Sequence, residues 1–509
     1  MGIRLREDAK TVKAAQLNDA GNRESTANRN WDQINWDLAE KTVNGIQVRI
    51  VKAIKSGKHN LVKRLQFLLT HSFYAKALAV RRVTSSQGAK TAGIDGIKWK
   101  TKQDKFKAIH DLCETGYIPK ALRRVYIEKY GKQEKRPLSI PTIKDRAMQA
   151  LYLQALSPIA ETRADRTSFG FRENRSTADA MQYAHQRLSR TTAPQWIVEG
   201  DIKGCFDNIN HAWLTEHIPM DTTILAKFLK ASFSYQNRLY PTVQGSAQGG
   251  VISPTLANMN LDGLQAELAG KLKGKQHYYV RYADDFIIIV RDEQTARQAI
   301  EIVNAFLETR GLRLSETKTK VTHVSDGFDF LGWNFRKYRN GKLIIKPTKK
   351  SVKKFKDGIS QVFQLLRTAT QKQLIKALNQ RITGWSNYHM SVNAKQTYNK
   401  IDYYVSWKLW KWAKRRHPKE TKGWIRKRYW SSIGNRNYEF ATGNLALKRC
   451  SDTPIVRHSM AKLDANPYTE SVYFENKAKW RKERKRAAYS QTTAAQLGKL
   501  RYECLSVVR

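Results

Sequence analysis

From Trp31 onward, apolar residues recur at spacings of three and four: Val48, Val51 and Ile54, then Leu61, Leu65, Leu68 and Leu69. That period predicts helices with one face turned to a core. Nearer the middle the period changes. Tyr278-Tyr279-Val280-Arg281 and Phe286-Ile287-Ile288-Ile289-Val290 are short β-forming runs, too brief for a membrane span. The few residues between them predict a hairpin with Asp284 and Asp285 at its tip. Upstream, Trp196-Ile197-Val198-Glu199-Gly200-Asp201 reads as a strand that breaks at Gly204. It leads to a helix beginning at His211, with Asn210 as its cap. Beyond Pro347 strand signals vanish and residues 353–416 read as helices. Within 401–416, Ile401, Val405, Leu409 and Trp412 form one stripe, while Tyr403, Trp407, Trp410 and Lys414 fall on the other side. The pattern predicts an α+β chain followed by an α-helical section.

An Asp-Asp pair at a hairpin tip is ordinarily a polar turn. A third carboxylate in a similar setting changes that reading. Asp201 ends its strand, placed to share cations with Asp284 across a sheet. Acids beside a core need a compensating cation, and Mg²⁺ is held by one or two carboxylates plus substrate phosphates. Two such ions about 3.5–4 Å apart activate an attacking hydroxyl and stabilise a leaving pyrophosphate. Glu199 and Asp207 take the plainer reading, Asp207 as a cap or loop residue.

Asp201 through Phe206, followed by Tyr282-Ala283-Asp284-Asp285, resembles the palm of group II intron-encoded reverse transcriptase/maturases, particularly their chloroplast-like lineage. Further motifs follow in the expected order. Arg136-Pro137-Leu138-Ser139-Ile140-Pro141 and Ser168-Phe169-Gly170-Phe171-Arg172 resemble the fingers motifs. Gln248-Gly249-Gly250-Val251-Ile252-Ser253-Pro254 resembles the template- and nucleotide-positioning loop. Leu314-Ser315-Glu316-Thr317-Lys318-Thr319 and Phe330-Leu331-Gly332-Trp333 resemble the last two palm motifs. The resemblance implies a right-hand polymerase: fingers and palm of antiparallel sheet plus helices, an α-helical thumb or maturase domain, and a basic C-terminal DNA-binding segment.

The resemblance also implies roles. Asp201, Asp284 and Asp285 are catalytic and, with Ile202, hold two Mg²⁺ ions. Phe206 is a steric gate that favours deoxynucleotides by clashing with a ribose 2′-hydroxyl. Arg136 and Arg172 clamp the triphosphate, since guanidinium groups suit bidentate contact with phosphate oxygens. Gln248 and Gly249 position the nascent pair, the glycine by letting backbone approach closely. Relatives more often carry Pro where Ala247 stands. Lys318 is a candidate general acid for pyrophosphate.

Charge sharpens the picture of partners. The 509 residues hold 92 Lys+Arg against 44 Asp+Glu, a formal net charge of +48, which calls for a polyanion, with nucleic acid favoured over a membrane surface. Residues 406–430 carry ten Lys/Arg against the single acid Glu420, interleaved with Trp407, Trp410, Trp412, Trp424 and Trp430. Cations beside aromatics are what RNA binding uses. Residues 477–486 hold seven Lys/Arg against Glu483, a solvated basic helix or a DNA contact. Four scattered cysteines, Cys113, Cys205, Cys450 and Cys504, make neither a disulfide framework nor a zinc site, and fit a reducing bacterial cytoplasm with nucleoid or ribonucleoprotein association.

The organisation expected is a flexible polar tail over 1–30, fingers and palm with an N-terminal extension over 31–340, and thumb/maturase over 341–440. A basic region over 441–509 carries at most a remnant of an HNH endonuclease. Expected partners are group II intron RNA, target DNA, primer–template and dNTPs, without a membrane or zinc. Two other readings stay open: a splicing cofactor whose main work is RNA binding, and a host-adopted reverse transcriptase serving repair or defence.

Overall fold

The computed structural model describes residues 30–131, 133–433 and 436–506, with side chains through 491. Residues 1–29 of the expected tail and the Cys504 side chain lie outside the described residues. Asn30, counted with that tail, instead caps a 3₁₀ turn over Trp31–Gln33.

Three helices, α1 (Trp36–Lys55), α2 (His59–His71) and α3 (Phe73–Ser85), follow, then α4 (Lys102–Asp111). Asn35 starts α1 by accepting the Leu38 N–H at 2.9 Å. Of the periodic positions, Val51, Leu65 and Leu69 are buried and Val48, Ile54, Leu61 and Leu68 are half-buried. Their partner is α5 (Ile143–Arg163), buried nearly all round because α1, α2, α3 and the helix Ser253–Leu261 pack around it. The fingers-like sheet has strand order β2-β1-β4-β5, from β1 (Leu122–Glu128), β2 (Lys135–Ile140), β4 (Phe233–Tyr235) and β5 (Arg238–Tyr240).

The central sheet has order β6-β7-β3-β8, with β3 (Trp196–Asp201), β6 (His277–Tyr282), β7 (Asp285–Val290) and β8 (Lys320–His323), all antiparallel to their neighbours. Its side chains alternate between two cores. Val198, Phe286, Ile288 and Val290 join the N-terminal helices. Ile197, Val280, Ile287 and Ile289 face α6 (Thr177–Leu188) and the C-terminal half. Because β7 is covered on both faces, it reads in the sequence as an unbroken apolar run.

A meander of β9 (Phe328–Phe330), β10 (Trp333–Lys337) and β11 (Leu343–Pro347) leads to three helices: α7 (Lys349–Leu365), α8 (Gln371–Tyr388) and α9 (Lys395–Arg416). The stripe on α9 is buried as expected, and Tyr403 opposite it is 77% exposed. Trp410 departs from its side of that helix: it is half-buried, its ring 5.6 Å from Trp430. The absence of strands after Pro347 does not hold. Residues β12 (Trp430–Ile433), β13 (Arg436–Thr442) and β14 (Leu445–Ala446) form a small antiparallel sheet. Serine, asparagine and glycine interrupt its alternation in the sequence, and Phe440 of β13 packs beside Trp412 and Tyr429.

The chain then returns to the central region. Asp179 of α6 accepts from His458 Nε2 at 2.9 Å and the Ala461 N–H at 3.0 Å. Burial alone would raise this carboxyl, but His458, Ser176 and Lys477 together hold it well below the usual carboxylate range. Arg175 donates to the carbonyls of Lys462 and Ala465 at 2.7 and 2.8 Å. These contacts seat the final helix, α10 (Ser471–Ser506), on which Arg481, Lys482, Arg484 and Arg486 are exposed.

Candidate active site

Strand register brings the acids together. Tyr282 pairs with Asp285, leaving Ala283 and Asp284 as a two-residue turn, and Asp201 pairs with Asp285 across β3 and β7. Ala283 takes a φ of +58°, a left-handed conformation that a residue with a Cβ adopts only under constraint. The constraint is visible. Phe169 N–H donates to the Arg281 carbonyl at 2.9 Å, Arg281 N–H donates to the Thr167 carbonyl at 3.0 Å, and Gly170 lies against the turn. A Cβ on Gly170 would sit 2.3 Å from the Ala283 nitrogen.

Electrostatics mark the three acids as a crowded set. Burial, then the Asp201 charge, raises the Asp284 carboxyl, with Arg136 and Lys318 pulling the other way. Asp285 opens to solvent in the cleft, yet the surrounding protein and the charges of Asp284 and Asp201 push its carboxyl up to about 6. Lys318 Nζ donates to Asp201 Oδ2 at 2.5 Å. Its backbone is fixed by a turn in which Ser315 N–H donates to the Asp201 carbonyl at 2.8 Å and Lys318 N–H donates to the Ser315 carbonyl at 3.1 Å.

Among the described residues, no three His, Cys, Asp or Glu side chains converge as a preformed metal cage. The acids nevertheless suit a hard divalent cation. They are oxygen donors, the Asp201 charge raises the carboxyls of both Asp284 and Asp285, and Asp201 already holds a cationic ammonium. Mg²⁺ needs only one or two of them beside water and phosphate. Ile202 is buried and bridges to Leu314, so only its backbone could contribute.

Around the acids, Phe206 is half-buried in the short helix Cys205–Asn208, with the Phe171 ring edge-on at 6.4 Å. Phe171 is 53% exposed and has a φ of +55°. Gly249, at φ +119°, lies under the fingers strand, where a Cβ would be 2.7 Å from the Ser139 carbonyl oxygen. Next to it, Ser139 N–H donates to the Gln248 carbonyl at 2.7 Å. Arg136 is exposed on β2, and its charge reaches both Asp284 and Asp207.

Two placements differ from the sequence reading. Arg172 is not open to the cleft: Nε and Nη2 donate to Glu161 at 2.8 and 2.6 Å, and Nη1 donates to the carbonyls of Asp165 and Ser168 at 2.8 and 2.7 Å. A side chain 8% exposed and paired to a carboxylate on α5 buttresses the loop that holds the Ala283–Asp284 turn. Asp207 is not a mere cap. Both of its oxygens accept from Gln248 Nε2 at 3.2 Å, with Arg124, Lys129 and Arg136 near enough to offset the rise that burial imposes on its carboxyl. Glu199 keeps its plain role, accepting from Thr322 Oγ1 at 2.9 Å. Asn210 caps as expected, accepting from Ala212 N–H at 2.8 Å.

Sequence reasoning missed Arg281. It is fully buried, ion-paired with Asp262, and donates to Asn258 Oδ1 at 3.0 Å and to the Ala283 carbonyl at 3.4 Å. A lone arginine ending an apolar strand was the available signal.

Comparison with known proteins agrees with this geometry. Residues 127–335 match the family described as reverse transcriptase (RNA-dependent DNA polymerase). Residues 31–112 match the N-terminal domain of reverse transcriptase, and residues 352–430 the group II intron maturase-specific domain. Protein YkfC of Escherichia coli (strain K12) is 33% identical over 334 residues, 56% of this chain and 87% of that protein. The group II intron-encoded protein LtrA of Lactococcus lactis subsp. cremoris is 29% identical over 430 residues, 70% of this chain and 71% of that protein. A solved telomerase from Candida albicans aligns at a TM-score of 0.37 with 15% identity over 58% of this chain and 59% of that one, too slight a likeness to argue from.

Proposed function

The chain belongs to the group II intron-encoded reverse transcriptase/maturase family, and on that premise we propose how its residues divide the work. It is an intron-encoded reverse transcriptase with a maturase domain, and reverse transcriptases generally depend on divalent metal.

Asp201, Asp284 and Asp285, with the Ile202 backbone, hold two Mg²⁺ ions. Bound there, the ions supply a lowered pKa for the primer 3′-hydroxyl and charge neutralisation on the leaving pyrophosphate. The observation that carries this reading is the register pairing of Asp201 with Asp285, which brings the strand-end acid to the two acids of the turn. Lys318 is held beside them with half its side chain open, where it can donate a proton to pyrophosphate. Arg136 meets the triphosphate from the fingers, and Arg172 supports the loop beneath. Phe206, with Phe171 edge-on, bounds the sugar and excludes a 2′-hydroxyl. Gln248 and Gly249 present the templating pair.

Intron RNA is held by the C-terminal helical domain. There Trp407 is 43% exposed with Lys411 Nζ 3.8 Å from its ring centroid, and Trp424 is 40% exposed. The exposed basic face of α10 meets target DNA. Among the described residues no helix is long and apolar enough to cross a membrane.

The test is primer extension on an RNA template with dNTPs, using Asp284→Ala with Asp285→Ala. Loss of extension is the expected result. Retained polymerisation in the double variant overturns the assignment.

A further inference from the structure

At the other end of the central sheet, a cavity of about 500 Å³ opens between the last turns of α6, residues 192–194 leading into β3, and the start of β6. Register fixes its distance from catalysis. Trp196 and His277 both pair with Val290, five residues along β7 from the Asp285 end. At ~3.3 Å per residue that is roughly 17 Å along the strand. Nothing in the polymerase reading uses this place.

Its lining is one-sided in charge. Gln182, His185, Arg187, Arg190, Gln276 and Tyr278 contribute, and none of its lining residues is acidic. Lys337 Nζ donates to the Arg190 carbonyl at 2.6 Å, adding a cation at the rim. Arg187 is the organising residue. Its guanidinium carbon lies 4.8 Å from the ring centroids of both Tyr183 and Tyr278. Among the described residues it has no ion pair and no hydrogen-bond acceptor, and its buried Nε is unpartnered. Tyr278 is itself fixed, its hydroxyl accepting from Gln276 Nε2 at 3.1 Å.

Cations in the last turn of a helix complement its dipole, which accounts for some of this charge. It does not account for the concavity, for three amide side chains beside two guanidinium groups, or for an arginine stacked between rings without a carboxylate. Guanidinium groups suit phosphate oxygens, amides suit base edges, and a planar arginine–tyrosine platform suits a base taken out of its stack. The volume lies within the ~300–1,000 Å³ of small-ligand sites.

We propose that this pocket receives one unstacked nucleotide of a bound RNA loop, its phosphate against Arg187 and Arg190 and its base against Tyr278 and the amides. RNA is favoured because proteins read RNA chiefly through single-stranded, splayed-out bases. The site extends the RNA-binding reading of the chain and is independent of the catalytic acids.

The test uses the full chain and a 4-thiouridine-substituted transcript of the intron that surrounds its reading frame. Ultraviolet crosslinking followed by peptide mapping is expected to mark Tyr278 or residues 182–194. Arg190→Ala with Gln276→Ala, both at exposed positions, is expected to weaken transcript binding by about tenfold and to lower the slope of log affinity against log salt by ~1. Primer extension on a short RNA template stays at the parent rate, which separates this site from the polymerase assignment. Absence of the crosslink, or unchanged affinity and slope in the variant, overturns the proposal. Equal protection of the same peptide by single-stranded DNA of matching sequence overturns the choice of RNA.

Discussion

Asp201 and Asp285 are Cα partners where β3 ends and β7 begins, so the acid that closes one strand stands directly across the sheet from the acid that opens the other. Their closeness comes from backbone pairing rather than from a flexible loop, and it tolerates no register slip: a shift of one residue would turn each side chain to the opposite face. The exposed aromatic and cationic surface of the helical domain lies on another element, with Trp407 on α9. Catalysis and RNA binding should therefore separate.

Asp285→Asn is expected to lower the primer-extension rate by on the order of 10³-fold or more, since it removes a carboxylate from the set proposed to hold the metal ions. Intron RNA affinity in the same variant is expected to stay within about twofold of the parent. Filter binding and extension on one preparation check both. A parallel fall in both would mean that the acids support the fold of the RNA surface.

The hairpin and the strand before Asp201 were legible because local period and turn length specify them. What escaped reading depends on contacts between distant segments. Asp207 looks like a loop acid until Gln248, 41 residues later, is folded onto it. Arg172 looks like an open phosphate clamp until Glu161 on α5 takes its guanidinium. The sheet after Trp430 was obscured because its strands are short and broken by serine, asparagine and glycine, and its order derives from packing on α8 and the short helix Lys422–Tyr429. The stripe on α9 was legible because a core-facing period of 3.6 survives high surface charge.

His389 gives the helical domain a pH dependence. Its ring is fully buried, 4.5 Å from Trp385 and 6.1 Å from Trp333 by centroid, with Nε2 3.2 Å from Ser351 Oγ and Nδ1 unpartnered. Burial lowers its pKa to about 4. The unfolded chain binds this proton at about 6.5, so stability is full above that pH and is lost as pH falls toward 4. The loss is roughly 3 kcal/mol at most. Urea unfolding followed by tryptophan fluorescence between pH 7 and 4.5 is expected to show it. His389→Gln should flatten the profile, and an unchanged slope would place the titration elsewhere.

Gly170 is the tightest contact on the catalytic turn. A Cβ there would lie 2.3 Å from the Ala283 nitrogen and 2.9 Å from the Tyr282 carbonyl carbon, both backbone atoms that cannot rotate away. Gly170→Ala is expected to cost about 1–3 kcal/mol through forced backbone movement. It should also slow primer extension by at least about tenfold, because ångström-scale misplacement of reacting groups is expensive. Thermal melting and extension rates check the two effects. Parent-like extension would show that the turn is free to move.

Asp207 sets the orientation of Gln248. An ionised carboxylate only accepts, so the amide nitrogen must face it, and both Asp207 oxygens meet that nitrogen at 3.2 Å. The amide oxygen is thereby the end left free for the nucleotide or the template. In Asp207→Asn the partner can donate as well as accept, and the amide loses its fixed sense. Exchanging a hydrogen bond to a charged group for one to a neutral amide is worth about 1 kcal/mol. The KM for dNTP is then expected to rise by roughly 5–10-fold, with a smaller change in kcat. Gln248→Ala should produce a similar rise. The double variant should be little worse than either single one, since both remove the same contact and a coupling of about 1 kcal/mol or more is expected between touching residues. Steady-state extension at varied dNTP, with Arg124, Lys129 and Arg136 left intact, isolates this pair from the surrounding cations. Additive effects in the double variant would mean that Asp207 acts through those cations instead, and an unchanged KM would remove it from nucleotide positioning.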